Sequence, residues 1–379
     1  MESLFFLLII IMLYIYFGYP FLLQIISVFV QKPIRKNEIL PNVSIITAAY
    51  NEERTIEKYI LNKFNLDYPP EKSEIILVSD GSTDQTDQII QNYDHERVKY
   101  LRNEPRQGKT AALNMAVPTA KGEIIIFADA NSMYHQDAVK RIVENFADPQ
   151  VGYVSGRMVY VNEAGDMLGD GCTRYMRYEN NLRNLETMVG SIVGVDGGID
   201  AVRKELYDEM DPEMLPDLFL PLSVIEKGYR VVFEDDAFLY ETALDNTGDE
   251  FRMRVRVILR AWHALWRKRK ILNPFKYGLY SLQLFTHKVI RYMAWLIQLA
   301  ILVLNILLAY TNIIFTFLLI GQLFFYYLGF WGHYLEKKGK TFFVVSPIYY
   351  FNLLNLSAMI AFFKFMVRKK QVIWTPRKG

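Results

Sequence analysis

Residues 3–31 contain no charged side chain. A run that long and that apolar spans a bilayer, since a helix needs about 20 residues to cross. Residues 292–335 are also uncharged, too long for one crossing, and interrupted by Tyr310-Thr311-Asn312. Residues 342–366 carry one charge, Lys364, near the end, where a lysine reaches the interface. Hydrocarbon leaves no partner for an unpaired backbone group, so such segments are helices. A water-facing fold is therefore confined to the middle of the chain. A secretory leader is the competing reading of the first run. It calls for a basic start and a shorter apolar core. Here the start is Met1-Glu2-Ser3 and large apolar residues continue to Phe29, so a retained anchor is expected.

Basic residues set the expected orientation. Lys32, Arg35 and Lys36 follow the first run; Lys337, Lys338 and Lys340 follow the second; Arg368, Lys369, Lys370, Arg377 and Lys378 close the chain. All should lie on the cytoplasmic side of a cell membrane. Three complete C-terminal crossings would put the tail outside, so one segment is expected to be re-entrant or interfacial. The expected divisions are an anchor at 1–31, a cytoplasmic domain at 37–270, an interfacial helix at 271–291, membrane segments at 292–367 and a basic tail at 368–379. Net charge is only +2, which does not argue for nucleic acid; membrane lipids are the expected partner. The single cysteine, Cys172, excludes an intrachain disulfide and a cysteine-based zinc site.

The middle reads as an α/β unit. Apolar runs at 43–48, 74–79, 98–101 and 122–128 alternate with helical patterns at 53–64, 85–92 and 109–117. Strands alternating with helices imply a mostly parallel sheet, which binds ligands beyond the carboxyl ends of its strands. Polar residues fall at those ends: Asn51-Glu52, Asp80-Gly81-Ser82-Thr83-Asp84, and Asp129-Ala130-Asn131 after the buried run Ile124-Ile125-Ile126-Phe127. Each alone is ordinary turn and cap chemistry; together they mark one edge of one sheet as a site. Gln107-Gly108-Lys109-Thr110 ends like a phosphate-binding P-loop, but Asn103 stands where that motif needs a glycine. A helix N-terminus carrying Lys109 still attracts phosphate. Further on, Val255, Ile258, Leu259, Trp262, Leu265 and Trp266 share one helical face amid basic residues, the pattern of a helix lying at a bilayer surface or packed on the domain core.

The ordered set PNVSIITAAYNEE, SDGSTD, RQGKTAALN and FADAN resembles the family 2 glycosyltransferases, whose GT-A fold is a Rossmann-like nucleotide-sugar-binding domain. The likeness runs through Gly197-Gly198 and Asp217 to the arginines near Arg256. The flanking apolar helices make it look like the branch of cellulose, chitin, hyaluronan and poly-N-acetylglucosamine synthases.

The resemblance implies that Asn51, Glu52 and Asp80 hold the base and ribose, with Lys109 near the nucleotide or diphosphate. It implies that Asp129 and Asn131 take the family's Asp-x-Asp position and bind Mg2+ or Mn2+. An amide replaces the second acid here; it remains a hard oxygen ligand without charge. Asp217, in Leu215-Pro216-Asp217 before Gly228-Tyr229-Arg230, takes the place of the general base. The alternative is a plain helix cap. Gly197 and Gly198 would let an acceptor approach the backbone, and Arg256 and Arg260 would face the acceptor or diphosphate. The family's Gln-x-x-Arg-Trp is replaced by Met253-Arg254-Val255-Arg256-Val257, with Arg260 and Trp262 beyond it.

The implied activity is metal-dependent, inverting transfer of a sugar from a nucleotide-sugar donor to a glycan or polyprenyl-lipid acceptor in cell-surface polysaccharide synthesis. A non-catalytic membrane scaffold keeping the fold is the alternative, and it predicts nucleotide binding without turnover. A transporter would need ionisable residues in mid-span, where the runs offer Asn305, Gln322, Asn352 and Asn355.

Overall fold

The structure, a computed structural model, describes residues 1–93, 95–161, 171–242, 247–338, 342 and 344–373. Lys340, Arg377 and Lys378 lie outside the described residues. An eight-stranded sheet organises the middle of the chain: β1 (Val43–Ala49), β2 (Ser73–Ser79), β3 (Val98–Arg102), β4 (Ile124–Asp129), β5 (Met133–Tyr134), β6 (Val151–Val161), β7 (Ile199–Arg203) and β8 (Arg230–Thr242). Their spatial order is β3-β2-β1-β4-β7-β6-β8-β5.

The first four strands are parallel, with Val43 opposite both Ser73 and Ile124. Their links run through α3 (Ile56–Phe64), α4 (Thr86–Asn92) and α5 (Lys109–Ala116). Side chains alternate between faces along a strand, and both faces are covered. Ile46, Ile76, Ile125 and Phe127 meet α5 on one side, while Ile45, Ile75, Ile124 and Ile126 meet α3 and α6 (Ala138–Glu144) on the other. Double coverage explains why these strands read as continuous apolar runs. Emptying one such position, Ile→Ala, costs about 2–5 kcal/mol.

Beyond β4 the sheet is mixed. β7 runs antiparallel to β4 with Ile199 opposite Ala128, β6 is antiparallel to β7 and parallel to β8, and β5 is antiparallel to β8. The expected helix at 53–64 begins only at Ile56, because Asn51 adopts a left-handed φ of 54° and the chain turns through Glu52 to Thr55 first.

Five further helices flank the sheet: α7 (Gly171–Val189), α8 (Pro216–Glu226), α9 (Thr247–Arg267), α10 (Pro274–Tyr277) and α11 (Leu279–Leu284). α1 (Glu2–Leu13) and α2 (Tyr19–Phe29) form one continuous helix through a π-helical turn at Tyr14–Gly18. Tyr19 and Leu23 pack against Leu182 and Val189 of α7, and Phe5 packs against Leu308 and Phe315 at the end away from the sheet. α12 (Ala294–Ala309), α13 (Ile313–Glu336) and α14 (Val345–Met366) complete the chain. Three helices are long and apolar enough to cross a membrane: Glu2–Phe29, Ile313–Glu336 and Val345–Met366. Leu279–Ile290 with Ala294–Ala309 forms a fourth candidate, bent by 62°.

α14 differs from the others in what it touches. It runs parallel to α9: Tyr350 meets Glu250, Ala358 and Ala361 meet Val255, Ile258 and Leu259, and Phe362 and Phe365 flank Trp262. α9 is bound to the sheet domain, with Arg260 Nη2 donating to Thr110 Oγ1 at 2.6 Å and to the Met214 carbonyl. The apolar face of α9, expected at a bilayer surface or on the core, is thus divided. Val255, Ile258 and Leu259 are covered by α14, and Leu265 joins the domain core. Trp266 stays 63% exposed. The chain after α14 then returns to the domain. Lys370 Nζ lies 2.5 Å from Glu213 Oε1, His263 Nε2 lies 3.1 Å from the Lys369 carbonyl oxygen, and the Val372 carbonyl rests against Gly108. The tail after α14 thus rests on the sheet domain.

The arrangement predicts the sidedness of three labels. In a Cys172→Ser background in sealed vesicles, Glu71→Cys and Ile373→Cys should react with an impermeant maleimide from one face and Thr311→Cys from the other. Labelling of Ile373→Cys together with Thr311→Cys would contradict the path assigned to α14.

Candidate active site

The carboxyl edge of β4 opens into a cavity of about 1970 Å3. Sites for a single drug-sized ligand hold about 300–1,000 Å3, so two substrates fit. Asp129 ends β4 in the wall, and its Oδ1 accepts from Lys109 Nζ at 2.6 Å. Lys109 is aimed by the turn that starts α5. Gly108 sits at φ +92° and donates its N–H to Asp80 Oδ2 at 2.9 Å, and the Gln107 N–H donates to Oδ1 at 2.8 Å.

Those bonds decide the direction of Asp80. Its carboxylate is fully buried, held also by Asn103 Nδ2 and Arg106 Nε, and it does not line the cavity. Asp80, expected at the base and ribose, here fastens the loop that carries Lys109. Asn51 is engaged in a similar way, its Oδ1 accepting from the Thr83 N–H at 2.8 Å and its N–H donating to Ser82 Oγ. Glu52 does line the cavity, with Oε2 accepting from Thr55 Oγ1 at 2.7 Å.

Asp217 enters from the opposite side, in the first turn of α8. The cap position itself is Leu215, which has no side-chain acceptor, and Asp217 places its charge in the first turn. Its carboxylate lies against Gly197, where an added Cβ would come within 2.6 Å of Oδ2. Gly197 also has φ +87°, so glycine is required there on two grounds. Gly198 is packed against Leu239 and Met158. Both glycines, expected beside the acceptor, are buried, Gly197 against Asp217. Arg256, Arg260 and Asn131 line the cavity. Trp262 instead stacks on Phe365 and packs against Tyr292 and Phe362.

Charge ties the site together. Burial pushes the Asp217 carboxyl up; Lys109 opposes that and Asp129 adds to it, leaving the pKa raised. Burial works against the Lys109 ammonium, but Asp129 and Asp217 outweigh it and raise its pKa. Burial, aided by Arg256 and opposed by Asp217, lowers Arg260 to about 10. Among the described residues no three His, Cys, Asp or Glu side chains are grouped to hold a metal. Asp129 and Asn131 supply two hard oxygen donors to the cavity wall. That set fits a Mg2+-type ion sharing ligands with a bound diphosphate, since such ions take few protein ligands.

Two groups escaped the sequence reading. Arg183 forms a bidentate pair with Asp196, one arm at 2.6 Å, and its Nε donates to the Gly194 carbonyl at 3.2 Å, bracing the segment that ends in Gly197. Asp200 is buried on β7 beside Ser155 and Tyr153. Burial, with Asp217 adding, raises it from 3.8 to about 8. A lone acid in the apolar strand Ile199–Arg203 was its visible signal.

Residues 44–210 match the family described as Glycosyl transferase family 2. Over those residues the chain is similar to family 2 glycosyltransferases. It is 28% identical over 235 residues to a poly-beta-1,6-N-acetyl-D-glucosamine synthase of Staphylococcus aureus, covering 60% of this chain and 56% of that one. It is 32% identical over 173 residues to a beta-monoglucosyldiacylglycerol synthase of Nostoc, covering 45% and 37%. The chain thus spans about half or less of the curated relatives it matches. A mannosyltransferase of Pyrobaculum calidifontis, solved with GDP-Man and Mn2+, shares the fold: TM-score 0.72, 21% identity, 97% of this chain and all of that one. The glycosyltransferase match ends before Asp217.

The raised Asp200 pKa carries a sign. The unfolded acid ionises near 3.8 and the folded one near 8, so stability present below the lower value is lost as pH rises through that window. Asp200→Asn should therefore gain thermal stability over the wild type as pH rises from about 5 to 8 and match it below about 4, read from melting curves of the detergent-solubilised protein. A difference that does not vary with pH would reject the assignment.

Proposed function

We propose that this protein is a membrane-bound inverting glycosyltransferase that moves a sugar from a nucleotide-sugar donor to a glycan or lipid-linked acceptor in cell-surface polysaccharide synthesis. The observation that carries this reading is the meeting of Asp217 with the Lys109–Asp129 pair across one cavity at the carboxyl edge of the sheet. The catalytic domain faces the cytoplasm in this reading, as the basic flanks require.

Transfer breaks the bond from the anomeric carbon to the diphosphate, and charge builds on the leaving oxygens. Lys109 is placed to meet that charge, and Arg256 and Arg260 border the same space. A divalent cation held by Asp129 and Asn131 would add charge neutralisation at the diphosphate when bound. Asn51, Glu52 and the loop fastened by Asp80 form the rim for the nucleotide. Asp217 takes the proton of the acceptor hydroxyl as it attacks opposite the leaving group, which inverts the anomeric centre. Its raised pKa suits that role, since a base works best when its pKa approaches the working pH.

Asn131 is the feature that favours a non-catalytic scaffold, because an amide brings no charge to a metal. The two readings separate in one experiment on the full chain: release of nucleoside diphosphate from a panel of nucleotide sugars, with and without Mn2+. Asp217→Asn should lower turnover about 10²–10⁴-fold with donor affinity changed less than about two-fold. Turnover surviving in Asp217→Asn removes the residue from the role of base; binding without turnover in the wild type selects the scaffold.

A further inference from the structure

The cavity does not stop at the site just described. It continues past Arg183, Lys288 and Arg291 to Met12, Leu13 and Phe17 of the N-terminal helix and to Phe351 and Leu354 of α14. One end is therefore lined by carboxylates and the other by apolar side chains of helices long enough to cross a membrane.

The basic residues in between are not equivalent. Arg183 is bonded to Asp196, Arg254 to Glu250, and Arg291 to Glu179 at 2.7 Å. Glu179 also contacts His287, and Glu186 takes His287, Tyr19 and the Val193 N–H. Lys288 differs: among the described residues its ammonium makes no hydrogen bond and no ion pair. It rides on a π-helical turn, Phe285–Ile290, a departure from α-helix found often at functional sites. Gly194 makes room for it, since a Cβ there would collide with Lys288 Nζ. Glu179 and Glu186 act on it through space, but both are bonded to other groups, so its N–H donors are left for an anion that enters the cavity.

Its distance from the chemistry is bounded by the chain. Lys288 abuts Gly194 and Asp217 abuts Gly197, and that stretch of backbone spans at most about 10 Å. A phosphate on Lys288 would thus lie close enough to Asp217 for an attached sugar to reach both.

We propose that Lys288 binds the phosphate of a lipid-linked acceptor. The lipid chain lies along Phe17, Phe351 and Leu354, and a hydroxyl of the attached sugar meets Asp217. This rests on the reading of Asp217 as general base. A base is needed for a hydroxyl, whereas a phosphate oxygen is already ionised, so the phosphate serves as a handle. The acceptor oxygen bonds to the donor's anomeric carbon, the bond to the diphosphate breaks with its electron pair leaving on the diphosphate, and the proton passes to Asp217. The lipid phosphate is unchanged.

The test is headgroup selectivity in binding, measured on the full chain in neutral detergent without donor. Farnesyl phosphate, farnesol and inorganic phosphate are the probes. The wild type should bind farnesyl phosphate at least about ten-fold more tightly than farnesol and more tightly than inorganic phosphate. Lys288→Met should reduce that preference to below about three-fold while still binding farnesol, and Lys288→Arg should keep it. Equal binding of farnesol and farnesyl phosphate by the wild type, inorganic phosphate binding as tightly as farnesyl phosphate, or an undiminished preference in Lys288→Met, overturns the proposal. Because no donor is present, failure of Asp217 as a base reads out in turnover alone and leaves this selectivity measurable.

Discussion

The pairing of β7 antiparallel to β4 is the constraint on which the site depends. With Ala128 opposite Ile199, the end of one strand and the beginning of the other fall at the same edge. Asp129 leaves the sheet there, and the 194–198 segment arrives there. A parallel neighbour would have brought a strand end to that place, and the segment against which Asp217 rests would lie elsewhere. Gly197 then converts adjacency into contact, since any side chain at that position would displace the Asp217 carboxylate.

Around that edge, charge and backbone are coupled. Asp80 spends both oxygens on the loop before α5, and an amide left unpaired by its loss would cost about 1–3 kcal/mol. That loop sets the start of α5, and α5 sets Lys109. Lys109 faces Asp129 and feels Asp217, while Arg260, anchored to Thr110 on the same helix, faces Asp217 from α9. Acids and bases alternate across the cavity, so a dianionic ligand can enter without meeting an uncompensated field.

The apolar helices are joined to this machinery. α9 belongs to both layers, giving Ala261, Ala264 and Leu265 to the domain core and Val255, Ile258 and Leu259 to α14. The cavity follows the same seam from the carboxylates to the N-terminal helix. A substrate with one polar and one apolar end therefore meets matching surroundings at each end.

Much of this was legible in the chain alone. Uncharged runs can only be satisfied as helices in hydrocarbon, and strands covered on both faces must be apolar throughout, so residues 3–31, 43–48 and 122–128 announced themselves. The acid-bearing turns at Asp80, Asp129 and Asp217 were visible because polar residues stand out where apolar runs end. Their directions were not. Whether Asp80 turns to the cavity or to the Gln107 and Gly108 amides depends on a loop distant in sequence. That α14 follows α9, that Arg183 reaches Asp196, and that Lys288 abuts Gly194 depend likewise on contacts between separated elements. Local composition determined which residues leave water; only tertiary packing decided which of them meet, because burial is a property of a side chain and partnership is a property of two.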